Sequence, residues 1–579
     1  MAGKADDFML VPKDEKDDYK FLAPARSDNK IEPLIDGSRI FPALEEAIAN
    51  ATDTVYCSFW SIYPDTPLLS TKVKSALSVK DWQGLLLKVV QNHKVTLRIL
   101  LSDFDPILRN KFHRDKAWNM FNAMVEGAKK AGLAKDKFQI MVSRHPATIS
   151  NFLVARLTKK ELDKQIDAYN KAKMAGLEKS PGLWESVKIV RKKLTTSATP
   201  NLATFPGTFH QKVVIADNKT ALLGGLNISN YFQDDSSHLK PKEPTHDIFC
   251  RVEGPVVGDI ERFFVGRWNA ETAAFNAFVT SANANGKALG FRIDDRFTIS
   301  PLTVSSTTRP AAGKAVAQLQ RTLSSGISSS LTVQVVRDDI ARAYERAIGA
   351  ATDFIYIENQ VMRLDDLATW VINRVQAVKT LQAIIVLPAV AEEIAEGTAD
   401  EISMKGQQMQ YDALVRMQKA LGKNLGLYSL IQPKKAPSGT KLTFSGSLQI
   451  DVHCKILVVD DVFATIGSAN ASPRSFQLDS EIDVSWFEPD SAKAFRESLW
   501  KEHLGSPDGK LFASWKAANY VAQWDAIAVK NAKAAKPEAR QGLIIQHTPQ
   551  PGKAADFIPP FLAQLGNPDQ VPESPSQVA

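Results

Sequence analysis

Two stretches of this chain repeat one another, and that repeat limits the possible folds more than any other feature. Residues 43–62, ALEEAIANATDTVYCSFWSI, align without gaps to residues 343–362, AYERAIGAATDFIYIENQVM. The identical positions are Ala43/Ala343, Glu45/Glu345, Ala47/Ala347, Ile48/Ile348, Ala51/Ala351, Thr52/Thr352, Asp53/Asp353 and Tyr56/Tyr356. In each copy the apolar residues fall at i, i+3, i+4 and i+7 (Leu44, Ala47, Ile48, Ala51; Tyr344, Ala347, Ile348, Ala351), which is one face of a helix. A Thr-Asp break follows, then a strand-like run, then a second apolar run at 95–103 and at 381–388. A histidine-bearing run closes each series, at 210–217 and 453–460. The same order met twice predicts a duplicated α/β architecture.

The offset between copies falls from 300 residues at the helices (43 to 343) to 243 at the histidines (210 to 453), so the first copy carries a 57-residue excess. Lys- and Ala-rich sequence within about 147–200 accounts for most of it and predicts a helical insertion, either a solvated hairpin or a lid over the site. The expected organisation is an arm over 1–36, a first repeat over 37–299, a Ser/Thr-rich linker over 300–325 and a second repeat over 326–505. An extension over 506–579 follows, reading as a Pro-, Gln- and Ser-rich tail from about Gln546.

The two histidine runs have one pattern. The first is HQKVVIAD (His210, Lys212, Asp217) and the second HCKILVVD (His453, Lys455, Asp460). On a strand, side chains two apart share a face, so each His sits beside its Lys while Gln211 and Cys454 point away. Cys454 therefore reads as a packing residue. Each run leads into a small-residue turn with an amide, GGLNIS with Asn227 and GSANAS with Asn470, where the backbone can approach a phosphate and the amide can donate to it. Each is then followed by an acid, Asp247 in THDIF and Glu481 in DSEID, of the kind that orients a histidine through its second nitrogen. One His-x-Lys-x4-Asp match is a moderate signal; two complete copies in matching places predict a shared phosphodiester-cleaving centre. One imidazole would attack phosphorus and the other serve as acid and then base. Lys212, Lys455, Asn227 and Asn470 would hold the non-bridging oxygens. The lysines supply the charge a metal would otherwise bring, so the expected chemistry needs neither metal nor other cofactor. By strand parity Asp217 and Asp460 lie off the catalytic face and read as structural.

These motifs resemble those of the phospholipase D superfamily. The stretch VHCKILVVDDVFATIGSANASPRSFQLDSEIDV is similar to the second site of the plant and animal enzymes. IYIENQ (355–360), HDIFCRVEGPVVGDIERFFVGRWN (246–269) and LWKEHLG (499–505) resemble their flanking segments, so the likeness runs from about residue 38 to about 525. It implies two fused, pseudo-twofold-related α/β/α lobes with mixed sheets sharing one active site. It also implies hydrolysis of the distal phosphodiester of phospholipids to phosphatidic acid, with transfer to alcohols. By position His210 would be the nucleophile and His453 the general acid/base. Fewer than forty residues precede the first repeat, too few for the C2 domain of plant relatives or the phosphoinositide-binding modules of animal ones.

The formal charge of +7, from 71 basic and 64 acidic residues, is a mild bias that suits a phospholipid surface but falls short of a nucleic-acid groove. No nucleic-acid partner is expected, and a chain holding both half-sites is expected to work as a monomer. The three cysteines make no metal or disulfide spacing. The acid-rich start carries no secretory signal and no run reaches membrane-span length, so the expected location is cytoplasmic or peripheral to a membrane, with signal-independent export as an effector left open. The rival readings are a nuclease of the superfamily, a phosphatidyl-transferring lipid synthase, and a catalytically dead scaffold, the last disfavoured because both histidines and both lysines are intact.

Overall fold

The structure is a computed structural model that describes residues 4–12, 22–107, 111–149, 152–240, 242–294, 298–328, 332–391, 394, 401–440 and 442–552. Among the described residues each half contributes an equivalent set of seven strands to one large sheet. In the first half these are β1 (Arg26–Ile35), β2 (Thr54–Phe59), β3 (Thr96–Ser102), β4 (Phe138–Ser143), β5 (Val213–Ala216), β6 (Thr220–Gly224) and β7 (Ile248–Glu253). Their counterparts are β8 (Ala315–Ile327), β9 (Phe354–Asn359), β10 (Gln382–Val386), β11 (Leu425–Leu430), β12 (Lys455–Val459), β13 (Phe463–Gly467) and β14 (Glu481–Phe487). A short strand, β15 (Ile544–Gln546), pairs with β11 at the edge. The order across the sheet is β15-β11-β10-β9-β12-β13-β14-β8-β1-β7-β6-β5-β2-β3-β4, with Val333–Asp338 paired to β8 off this path. The first half reads 1-7-6-5-2-3-4 outward from the middle, and the second repeats it as 8-14-13-12-9-10-11. Both are mixed: β2–β3–β4 and β9–β10–β11 are parallel, while β2–β5 and β9–β12 are antiparallel. The duplicated α/β architecture predicted from the repeat is the one the fold has.

The repeated helices are α1 (Gly37–Ala49) and α3 (Asp339–Ala350), each burying the apolar face read from its spacing, with Leu44, Ile48, Ala347 and Ile348 fully buried. The longer α2 (Val256–Lys287) follows β7, and α4 (Pro489–His503) follows β14 in the equivalent place. One continuous core runs through both halves, joining Val55 and Tyr56 to Ile456, Trp486 and Trp500.

The boundaries differ from expectation at the seam. The expected arm and linker contain β1 and β8, the two strands that join the halves by antiparallel pairing (Arg26↔Ala317, Asn29↔Ala315). Their composition hides this because the buried polar groups are paired across the seam. The Gln318 amide bonds to the Leu10 and Ala23 backbones of the other half, while Arg321 pairs within its own half with Asp339. The insertion is α-helical over Phe152–Lys171 and continues in two short 3-10 turns, Leu177–Lys179 and Pro181–Ser186. Its second arm is a β-hairpin, Val187–Val190 with Lys193–Thr196, turned by Arg191 and Lys192 at φ of 50° and 63°. Two left-handed residues make the tight turn that matches strand twist, and the β-branched run before them favours strand over helix. The expected C-terminal tail begins inside β15, and residues 553–579 lie outside the described residues.

Candidate active site

The two motifs meet at the seam because each is pinned to the other half by a short parallel contact. Phe209 bridges Ser480, and the His210 N–H donates to the Ser480 carbonyl at 3.0 Å. In the pseudo-symmetric place, Asp451–Val452 pairs with Thr245–His246, and the His453 N–H donates to the His246 carbonyl at 2.8 Å. One residue further on in each partner segment is the carboxylate. His210 Nδ1 therefore lies 2.9 and 3.0 Å from the two oxygens of Glu481, and His453 Nδ1 lies 2.7 Å from Asp247 Oδ2. The orienting acids are exchanged between the halves, so neither half-site is complete by itself. Sequence reasoning found both acids, and the crossing emerges only from the seam.

Each lysine sits beside its histidine, as strand parity predicts. Lys212 Nζ lies 2.6 Å from His210 Nε2 and donates to the His210 carbonyl at 2.9 Å. Lys455 donates to the His453 carbonyl and to Gln360 Oε1 at 3.4 Å. In each ring Nδ1 faces a carboxylate, which leaves Nε2 as the nitrogen on the other side of the ring. The Asn227 carbonyl oxygen accepts from the Ser61 N–H at 3.2 Å, which fixes the amide and leaves its nitrogen as the end that can donate to a phosphate. Asn470 is fully buried in the equivalent turn. No group of the constellation is more than 3% exposed, so charges in it act with little screening by water.

Other contributors carried weaker signals. Ser468 of the GSAN turn donates to Glu481 Oε2 at 2.6 Å and fixes that carboxylate. Gly225 occupies the matching place in the first half, where a Cβ would come within 2.4 Å of Asp247 Oδ1. Trp60 packs edge-on to His210 with centroids 6.3 Å apart, and Phe232 lies 4.8 Å from His453. Asp479 accepts from the Thr208 N–H at 2.6 Å and is clamped by Arg474, tying the approach to His210 onto the second half. Burial pushes the Asp479 carboxyl up, with Arg474 opposing. The His145 imidazole, 3.2 Å from Ser480 Oγ, is held well below the usual range by burial and by the charges of Arg267 and Arg474. Burial and then the Glu358 charge push the Cys454 thiol well up, consistent with packing rather than nucleophilic use.

Asp217 and Asp460 lie at the far ends of their strands, both in left-handed conformation (φ of 52°). Asp217 accepts from the N–H groups of Thr52, Asp53 and Thr54, and Asp460 from those of Thr352, Asp353 and Phe354, at 2.6–3.1 Å. They satisfy the backbone between the repeated helix and strand. Removing either acceptor, as Asp460→Ala, should cost about 1–3 kcal/mol in denaturant unfolding, since several N–H groups lose their partner. Burial alone would raise the Asp217 pKa, but its backbone donors outweigh that and hold it below its ordinary 3.8. A folded pKa below the unfolded one contributes stability above the unfolded value and loses it as pH falls through the folded one. The stability difference between wild type and Asp217→Asn should accordingly shrink below about pH 4.

Comparison with known proteins shows the family. The family model described as phospholipase D matches residues 227–411 and 421–535, together more than half of the chain. The chain belongs to the phospholipase D family. The matched residues hold the second motif whole, and the first motif precedes them. Phospholipase D alpha 1 of Brassica oleracea var. capitata is 26% identical over 341 residues, covering 46% of this chain and 40% of that protein. Phospholipase D delta of Arabidopsis thaliana is 24% identical over 442 residues, covering 55% and 50%. The chain spans about half the length of the curated relatives it matches. Among solved structures, phosphatidylserine synthase of Haemophilus influenzae Rd KW20 aligns at 12% identity with a TM-score of 0.47, over 90% of this chain and 98% of that one. Among the described residues no helix is long and apolar enough to cross a membrane.

Proposed function

We propose that this family member is a phospholipase D in activity, releasing the headgroup of glycerophospholipids and forming phosphatidic acid. The observation that carries this reading is the crossed pair of histidine–carboxylate contacts, His210 with Glu481 and His453 with Asp247. His210 Nε2 forms a bond to phosphorus as the bond from phosphorus to the headgroup oxygen breaks, and His453 gives that oxygen its proton. Water then attacks the phosphohistidine, His453 takes the water's proton, and the N–P bond breaks to regenerate His210. An alcohol in place of water yields a phosphatidyl-alcohol. Lys212, Lys455, Asn227 and Asn470 stabilise the charge that grows on the non-bridging oxygens, so no metal is needed at phosphorus. The protein would act on a phospholipid surface as a monomer, peripheral to the membrane.

A nuclease would use the same centre, and the net charge of +7 over the whole chain is what disfavours it. The two are separated by assaying choline release from phosphatidylcholine liposomes beside nicking of supercoiled plasmid. Choline release without nicking is the expected result, and nicking without lipid turnover would refute the lipase reading.

A further inference from the structure

Behind the second half-site lies a buried cluster that the reaction does not use. Asp36, at the turn into α1, faces His238 and His246 of the first half and Glu502 from α4 of the second. We propose that these four side chains bind one divalent first-row metal ion, with zinc as the expected occupant, and that the ion clamps the two halves together beside His453.

The donor spacings fit a four-coordinate ion. His246 Nδ1 lies 2.9 Å from Asp36 Oδ1 and 3.2 Å from Glu502 Oε1. His238 Nε2 lies 3.2 Å from Glu502 Oε1 and 3.9 Å from Asp36 Oδ2. Ligands about 2.0–2.1 Å from zinc in a tetrahedron stand roughly 3.3–3.4 Å apart, in the middle of this range. Asp36 Oδ2 is buried and has no hydrogen-bond partner.

The surrounding shell has the form that metal-bound histidines require, in which the second ring nitrogen faces a carboxylate. His238 Nδ1 lies 3.2 Å from Asp234 Oδ2, and His246 Nε2 lies 3.3 Å from Glu358 Oε2. Glu358 is not itself a ligand, because its oxygens already face Tyr356 Oη at 2.5 Å, His503 Nε2 at 3.0 Å and Cys454 Sγ at 3.4 Å. Two imidazole nitrogens among the donors favour a zinc-like ion over calcium or magnesium, which take oxygen ligands. A cleft of about 560 Å³ reaches Glu502 past Ser38, Ser237 and Lys501 and gives an ion a route in.

The placement assigns the ion a purpose. His246 precedes Asp247, which holds the His453 ring, and the His246 carbonyl accepts the His453 N–H. Three ligands from the first half and one from the second fix that junction.

The test uses the full chain purified without a metal-affinity tag, incubated with zinc and dialysed, then measured by elemental analysis. About one zinc per chain is expected, falling below about a tenth in His238→Asn and Glu502→Gln. A His210→Asn/His453→Asn double variant should keep its zinc. Because ligand variants can misfold, wild type is also stripped with a strong chelator: its thermal midpoint should fall and return when one equivalent of zinc is restored. Wild type holding less than about a tenth of an equivalent, with a midpoint indifferent to chelator and zinc, would overturn the proposal. Loss of zinc from the double variant would overturn it equally, by placing the ion in the active site. A full equivalent of another first-row metal would overturn the choice of zinc.

Discussion

His453→Ala should lose about 10²–10⁴-fold in turnover of phosphatidylcholine, yet release a first equivalent of p-nitrophenolate from the corresponding phosphatidyl ester with most of that loss recovered, before stalling at the covalent intermediate. Choline is a poor leaving group that needs its oxygen protonated as the bond breaks, and His453 Nε2 is the assigned donor. A nitrophenolate departs without a proton, so the donor becomes dispensable in the first step. His210→Ala should lose activity on both substrates, by as much as about 10⁶-fold, because no substitute forms the N–P bond. Single-turnover rates of leaving-group release for two variants on two substrates check this directly. If His210→Ala were the variant rescued by the better leaving group, the roles of the two histidines would be exchanged.

Glu481→Gln and Asp247→Asn should each cost about 10²–10⁴-fold, although neither residue touches the substrate. A carboxylate on Nδ1 fixes the tautomer, aims Nε2 and stabilises the cation that forms, and an amide reproduces the shape without the charge. The crossed contacts make the two losses distinguishable. Glu481 lies in the second half but serves His210, so Glu481→Gln should impair both substrates alike. Asp247 lies in the first half but serves His453, so the Asp247→Asn defect in single-turnover leaving-group release should shrink with the nitrophenolate ester. The opposite assignment of the two defects would show that the carboxylates act within their own halves.

The local pieces were legible in the sequence because they obey local rules. The repeated helices and strands announce themselves by apolar period, and His–Lys pairing follows from strand parity, seen in the 2.6 Å approach of Lys212 to His210. The seam was not legible. β1 and β8 carry Arg, Asn, Gln and Thr where a buried strand is expected to be apolar, and they pair with each other across 286 to 291 residues, as in Asn29 with Ala315 and Arg26 with Ala317. Composition reports exposure only when polar groups go unpaired, and here Gln318 is satisfied by Leu10 and Ala23 and Gln320 by Ser485, all distant in sequence. The exchange of acids was hidden for the same reason. Asp247 follows the first motif and Glu481 the second, and only the contacts Phe209–Ser480 and Val452–His246 reveal which histidine each one meets. His238, His246 and His503 carried no spacing signal because their partners Asp36, Glu358 and Glu502 come from separate segments.

The most direct test of a single centre with His210 as nucleophile is to trap the covalent intermediate and locate it. His453→Asn, lacking the base that activates water, is mixed with the nitrophenyl phosphatidyl ester, quenched at alkaline pH and digested, and the peptides are read by mass spectrometry. A phosphatidyl group on the peptide containing His210, with none on that containing residue 453 of wild type treated alike, is the result predicted. Label on His453 in wild type, or no labelled histidine at all while product still forms, would contradict it.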